Sequence, residues 1–174
     1  MIFTRRRALG AAMLLPLEAL AQTCGALTLR QTEGPFFTPN SPPRTSLLEG
    51  KENTRFVVTG TVLSAQCKPV PNALLDFWHS DEEGAYDNRG FRYRGHQHAD
   101  AQGRYRLETI VPAQYPGRTR HIHVKVQAPG KRILTTQIYF PGDPGNARDF
   151  LYRPELEMKR AAAREGSFDF VVEA

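Results

Sequence analysis

No apolar run in this 174-residue sequence approaches the ~20 residues that a membrane-spanning helix requires, and the stretch from Ala8 to Leu17 stops well short of it. Beyond the first residues there is no run of Lys or Arg and no alternation of aromatic with basic side chains. Nucleic-acid and membrane-surface binding therefore find no support. Internal repeats, low-complexity tracts and linkers are also missing, and 40% hydrophobic residues over this length supply one core rather than two. Helical periodicity is nearly absent. Histidine is scarce, with five residues, and cysteine scarcer, with two.

What is present begins with Thr4-Arg-Arg-Arg-Ala-Leu9, the short apolar stretch, and Ala19-Leu20-Ala21. That order is expected of a cleavable secretory signal over residues 1–21, leaving a domain over 22–174 and a periplasmic or secreted destination. The paired arginines point to the twin-arginine route, with a plain Sec signal as the other option. Loss of Arg5, Arg6, Arg7 and Glu18 on cleavage would lower the net charge from +5 to +3, only mildly basic. Both cysteines, Cys24 and Cys67, would survive into an oxidising compartment, where a disulfide between them is expected. Closing a loop of about 40 residues would stabilise by roughly 3 to 4 kcal/mol in the chain-entropy model.

Turn residues recur at short intervals between β-rich runs. Phe56–Leu63, Ala73–Trp78, Arg104–Ile110, His121–Gln127 and Ile133–Phe140 read as strands, and Ser167–Val172 as a final one. Pro154–Arg164 reads as the one helix, with proline at its first position. The fold class expected is all-β, a sandwich of mainly antiparallel strands with one short C-terminal helix.

The chemistry concentrates in Tyr115-Pro-Gly-Arg118-Thr-Arg-His121-Ile-His123. On a strand, period-2 alternation puts His121 and His123 on one face, roughly 6.5 to 7 Å apart at Cα and able to share one ion. A cupin ligand set fails, because no histidine follows His123 and no glutamate follows at short spacing. A three-histidine zinc site would have to borrow an earlier residue, best His79 at the end of a strand. Tyr115 and Tyr86 offer phenolates instead. A free phenol titrates near ~10, so binding as phenolate at neutral pH requires a strongly Lewis-acidic hard cation such as ferric iron. No haem motif is present.

Four segments in order resemble the intradiol ring-cleavage dioxygenases. Thr32-Glu-Gly-Pro-Phe-Phe37 is similar to an early family segment. Pro71–Trp78 followed by Gly84-Ala-Tyr86 is similar to the first ligand region. Thr109–Pro112 with Tyr115, Arg118 and His121-Ile-His123 resembles the second, and Thr135–Phe140 the strand beyond. The resemblance implies a prealbumin-like sandwich with one mononuclear non-haem Fe(III). Tyr86 and His123 would be its equatorial ligands, Tyr115 and His121 its axial ones. A catechol-type substrate would chelate the metal, displacing Tyr115, and O2 would open the ring between its hydroxylated carbons to give a muconate-type diacid. By the same resemblance Arg118 would stabilise negative charge developing on the ring. Gly34, Pro35, Gly117 and Gln137 would lie at the substrate pocket.

The sequence also departs from the pattern. Gly117 stands where the protocatechuate-type enzymes have tryptophan, and Arg118 follows at once, which should leave a more open mouth. The Pro- and Thr-rich Gln22–Arg55 has no room for the helical segment of the catechol-type enzymes, so a homodimer, if one forms, would not use it. Taken singly, Arg118 could pair a surface carboxylate. His96 and His98 read as surface strand, Trp78 as core, and Tyr93, Tyr105, Tyr139 and Tyr152 as packing or surface residues. The rival function is a non-catalytic prealbumin-like binding module of the envelope, because sandwich fold alone does not decide function.

Overall fold

Nine strands build the protein in the computed structural model, which describes residues 24–52 and 54–174. The expected export signal lies outside these residues. In chain order the strands are β1 (Phe56–Ser64), β2 (Leu74–Trp78), β3 (Arg94–His98), β4 (Arg104–Thr109), β5 (His121–Gln127), β6 (Leu134–Tyr139), β7 (Lys159–Ala162), β8 (Glu165–Ser167) and β9 (Phe170–Val172). One sheet has the order β4-β1-β8-β7, with β9 also on β1; the other runs β3-β2-β5-β6. Pairing is antiparallel except that β8 and β9 both run parallel to β1.

The two sheets meet over a single core. Val58, Val62, Tyr105, Leu107 and Phe170 come from one, and Leu75, Phe77, Ile122, Val124, Val126 and Ile138 from the other. Alternation then fixes the opposite face of the second sheet. With Ile122, Val124 and Val126 turned inward, His121, His123 and Lys125 must point away from the core. The register extends this into rows across the strands: Arg94, Trp78, His123 and Gln137 stand side by side, with His96, Asp76, Lys125 and Thr135 in the next row.

A polar, histidine-bearing face needs a cover, and the segment from Thr28 to Leu47 supplies it. Gln31 N–H donates to Thr135 O at the edge of β6. Gln137 Nε2 donates to Thr32 O, Phe37 packs on Trp78, and Lys125 pairs with Glu33 while lying 3.5 Å from the centroid of the Phe37 ring. Farther along, Ser41 Oγ donates to Asp76 and meets His96 Nδ1. Cys24 and Cys67 are bonded, joining the start of this segment to the turn after β1.

The helix expected over Pro154–Arg164 does not form. Only Pro154–Leu156 makes a turn of 3-10 helix, after which the chain extends and folds back as the β7–β8 hairpin. Leu156 and Met158 are both buried, a spacing of two that suits a strand and not a helix. Met158 N–H donates to Tyr139 O, so docking at the sheet overrides the helix propensity of Glu, Lys, Arg and Ala. The expected final strand is likewise split into β8 and β9, because Phe168 and Asp169 turn their polar groups on Thr59 and Thr61 of β1.

Candidate metal centre

Three elements converge on the outer face of the second sheet. β5 brings His121 and His123, whose Nε2 atoms face each other at 3.1 Å. The excursion between β2 and β3 brings Tyr86, with its Oη 3.5 Å from His121 Nε2. The loop after β4 brings Tyr115, its ring centroid 5.8 Å from that of Tyr86 and 5.9 Å from that of His121. These four residues, singled out by the sequence, are thus brought together.

Local chemistry explains how each loop holds its phenol. Asp81 organises the first: its carboxylate accepts from the N–H groups of Glu83 and Ala85, and its carbonyl accepts from Ala113 N–H beside the second loop. Gly84 makes the junction possible, since a Cβ there would stand 2.6 Å from Gln114 O and its φ is +86°. In the second loop Arg118 N–H donates to Tyr115 O across Pro116-Gly117, and Gly117 has φ +82°. Proline followed by a positive-φ glycine is the signature of a type II turn, and this turn folds Tyr115 back on Arg118.

The imidazoles are fixed from behind. His121 Nδ1 donates to Thr119 O, which leaves its Nε2 lone pair for the centre. His123 has a buried Nδ1 without a partner and is held by stacking on Trp78, centroids 4.8 Å apart and rings 8° from parallel. Gly34 approaches its outer edge, a Cβ there lying 3.5 Å from His123 Cε1; Pro35 continues the same turn. Phe36 then stacks on Tyr86 at 4.4 Å and meets the edge of Tyr115 at 6.1 Å.

Burial sets the protonation states. It drives His121 down to about 4, with the Arg118 charge acting in the same direction and the Thr119 bond opposing. His123 is depressed further, first by burial and then by His121 and Arg118. Tyr86 moves the other way, because burial disfavours its anion. Both imidazoles are therefore neutral, with their Nε2 atoms directed at one point, and the phenol loses its proton only to a strong Lewis acid. A grouping of three or more His, Cys, Asp or Glu suited to a metal is absent among the described residues. His79 does not complete a three-histidine set either. Its Nδ1 donates to Ser80 O at 2.7 Å and its Nε2 is engaged by Thr109 Oγ1 at 2.5 Å, so neither nitrogen is free. Two nitrogens with two phenols is a donor set that fits ferric iron.

Arg118 lies over the centre on buried supports. Nε donates to Asp149 Oδ2 at 2.9 Å, Nη2 to Gln137 Oε1 at 2.5 Å and Nη1 to Tyr115 Oη at 3.4 Å. Its side chain is 8% exposed and that of Asp149 1%, so this is a buried ion pair rather than a surface one. Burial alone would lower the guanidinium, but the bond and charge of Asp149 outweigh it and hold Arg118 cationic. A cavity of about 540 Å³ opens beside Tyr115, Gly117 and Arg118, with Arg148 on its wall. Gly117 is exposed, with no atom within 4 Å of where a Cβ would stand.

Sequence reasoning passed over several contributors. Asp149 gave no signal, lying in a loop with no pattern around it. Trp78 is buried as expected but serves the His123 ring, and Tyr139, expected to be a packing residue, donates to Gln137 Oε1 at 3.1 Å. His96 and His98 do not join the centre; the first is tied to Ser41 and the second is exposed.

Comparison with known proteins agrees with this geometry. A family model described as Dioxygenase matches residues 32–173. Catechol 1,2-dioxygenase of Acinetobacter baylyi is 31% identical over 155 residues, covering 72% of this chain and 50% of that protein. The protocatechuate 3,4-dioxygenase beta chain of Burkholderia cepacia is 37% identical over 131 residues, covering 63% of this chain and 55% of that one. The chain thus spans about half the length of the curated relatives it matches. A structure of the dioxygenase domain of a dioxygenase carbohydrate-binding protein fusion from Streptomyces sp. SirexAA-E superposes with a TM-score of 0.82 at 53% identity, covering 86% of this chain and 99% of that one. No helix among the described residues is long and apolar enough to cross a membrane. A match over most of the chain, shared with relatives of one reaction type, places the chain in the intradiol ring-cleavage dioxygenase family.

Proposed function

We propose that this protein is a non-haem, Fe(III)-dependent intradiol dioxygenase that opens a catechol-type ring with O2 between its two hydroxylated carbons, giving a muconate-type diacid. The observation that carries the reading is the convergence of His121 Nε2, His123 Nε2 and Tyr86 Oη beneath a buried, charge-fixed Arg118. Tyr86, Tyr115, His121 and His123 would hold the metal. Ferric iron at that point would supply a Lewis acid that binds both catechol oxygens and favours their deprotonation. Tyr115 Oη, beside Arg118 Nη1, is placed to take a substrate proton. The Arg118 guanidinium, preorganised by Asp149 and Gln137, stabilises negative charge that develops on the ring.

The exposed Gly117, with no atom within 4 Å of where its Cβ would stand, supports a catechol carrying a substituent that projects outwards, not a bare ring enclosed on all sides. Export through the residues 1–21 signal belongs to the same proposal, and recovery of unprocessed chain in the cytosol would sink that part.

Protein loaded with ferric iron should show a visible tyrosinate-to-iron charge-transfer band, shift it on anaerobic addition of catechols, and take up O2 with release of the diacid. Tyr86→Phe and Tyr115→Phe should each alter the band. An iron-replete protein without a visible band, or one in which neither substitution changes it, overturns the ligand assignment and favours a binding module.

A further inference from the structure

Arg94 is among the largest fully buried side chains of the protein, with 1% of its surface exposed, and it carries a charge. Its partners are carbonyls: Nε donates to Asp87 O at 2.9 Å and Nη1 to Phe36 O at 2.6 Å, while Nη2 has no partner. No carboxylate forms an ion pair with it among the described residues. The nearest acids are otherwise engaged, since Asp87 accepts from the N–H groups of Arg89, Gly90 and Arg92, and Asp76 accepts from Ser41. Desolvating a guanidinium without a counter-anion is costly, and a fold that needed only bulk here would do better with an apolar side chain.

The two carbonyls identify what Arg94 serves. Asp87 directly follows Tyr86, and Phe36 is the ring stacked on the Tyr86 phenol. One guanidinium therefore clasps the backbone on both sides of the Tyr86 ring. Its placement is itself maintained against strain: Tyr93, the preceding residue, has φ +53°, a left-handed conformation unfavourable for an aromatic residue. That turn is fixed by Tyr93 stacking on His79 and by its hydroxyl donating to Glu82. It sets Arg94 in the row with Trp78 and His123.

We propose that Arg94 is the positioning residue for the Tyr86 ring, clasping it through the Asp87 and Phe36 carbonyls. This rests on the iron reading above.

The test compares Arg94→Lys and Arg94→Gln, each loaded with ferric iron alone, by the energy of the charge-transfer band and by iron retention against a chelator. In Arg94→Gln, which cannot donate to both carbonyls, the band should shift and iron affinity should fall at least tenfold. Arg94→Lys, which can still donate to one of the two carbonyls, should shift the band less and lose less affinity. A wild-type band that Tyr86→Phe alters and Arg94→Gln leaves unchanged overturns the role of Arg94 alone. Equal behaviour of the two Arg94 variants, or unfolding of the whole domain in both, also overturns it. A wild type with no band removes the iron reading and this proposal together.

Discussion

Replacing Asp149 with asparagine keeps the shape of the side chain and removes the anion that Arg118 is built on. In the native protein Asp149 Oδ2 accepts from Arg118 Nε and Thr119 N–H, and Oδ1 accepts from Leu151 N–H, each at 2.9 Å. With side-chain exposures of 8% and 1%, solvent cannot take over the lost charge of this pair. Removing one partner of a buried pair costs about 3 to 5 kcal/mol, and because asparagine can still accept some of these bonds we expect about 3 for Asp149→Asn. A loss of about 3 kcal/mol corresponds to roughly 6 to 12 °C in Tm for a domain of this size. Urea denaturation at pH 7 measures the effect, with Glu173→Gln as control. Glu173 pairs with Arg132 at the surface, where the two side chains are 44% and 84% exposed, and should cost under about 1 kcal/mol. The catalytic consequence should be a fall in kcat with little change in KM, because Arg118 would no longer be held toward Gln137 and Tyr115. If Asp149→Asn costs no more than Glu173→Gln and leaves kcat intact, Arg118 does not depend on this carboxylate and the reasoning fails. The pH response has the same origin. Burial opposes ionisation of Asp149, but bonds from Thr119, Leu151 and Arg118 outweigh it and hold the carboxyl below its usual range. The stabilisation is therefore complete above the unfolded value of about 3.9 and is lost as pH falls through the lower folded one.

His79 gives a pH effect at higher pH. Burial lowers it to about 4 in the folded protein, so the unfolded chain binds the extra proton between the ordinary value of 6.5 and there. Stability from this group is full above pH 6.5 and declines towards 4, by roughly 3 kcal/mol in total, and His79→Gln should flatten the apoprotein's pH–stability slope by about one proton. Gly84→Ala should destabilise by about 2 kcal/mol or more and weaken iron binding, since its Cβ would force Gln114 O and the Tyr115 loop away; unchanged urea midpoints and iron affinity would count against that junction. Cys24→Ser with Cys67→Ser opens a loop of 43 residues and should cost roughly 4 kcal/mol in the chain-entropy model, measurable as a lower denaturation midpoint.

Strand periodicity made much of this legible. The alternation of His121 and His123 against Ile122 and Val124 was enough to place both imidazoles on one face, and the burial of the apolar pair is what enforces it. The second phenol was a candidate from its place after the strand ending at Trp78, but only resemblance set it above Tyr93 or Tyr105, because nothing local at Tyr86 distinguishes it from them. Position in three dimensions separates them: Tyr86 is held under Phe36, whereas Tyr105 donates to Phe168 O within the other sheet. Local propensity misled at Pro154–Arg164, where a helix-favouring composition yields to two inward-facing residues two apart. Asp149 and Arg94 were invisible for a different reason. Each acts through partners more than 30 or 50 residues away, Arg118 for one and Phe36 for the other, and no window of sequence contains such a pair.

The cover of the centre also has a bearing on how the protein is assembled during synthesis. Residues 28–37 leave the ribosome before any strand of the sheet they rest on, yet their anchors arrive much later: Thr135 and Gln137 on β6, and Val171, whose carbonyl accepts from Thr28 N–H while its own N–H donates to Thr28 Oγ1. Early chain must therefore wait unpaired until more than a hundred further residues have been made, a high-contact-order closure that is intrinsically late. Until then the histidine face of β5 lies open. A nascent chain arrested between β5 and β6 would thus present the imidazole pair without its cover.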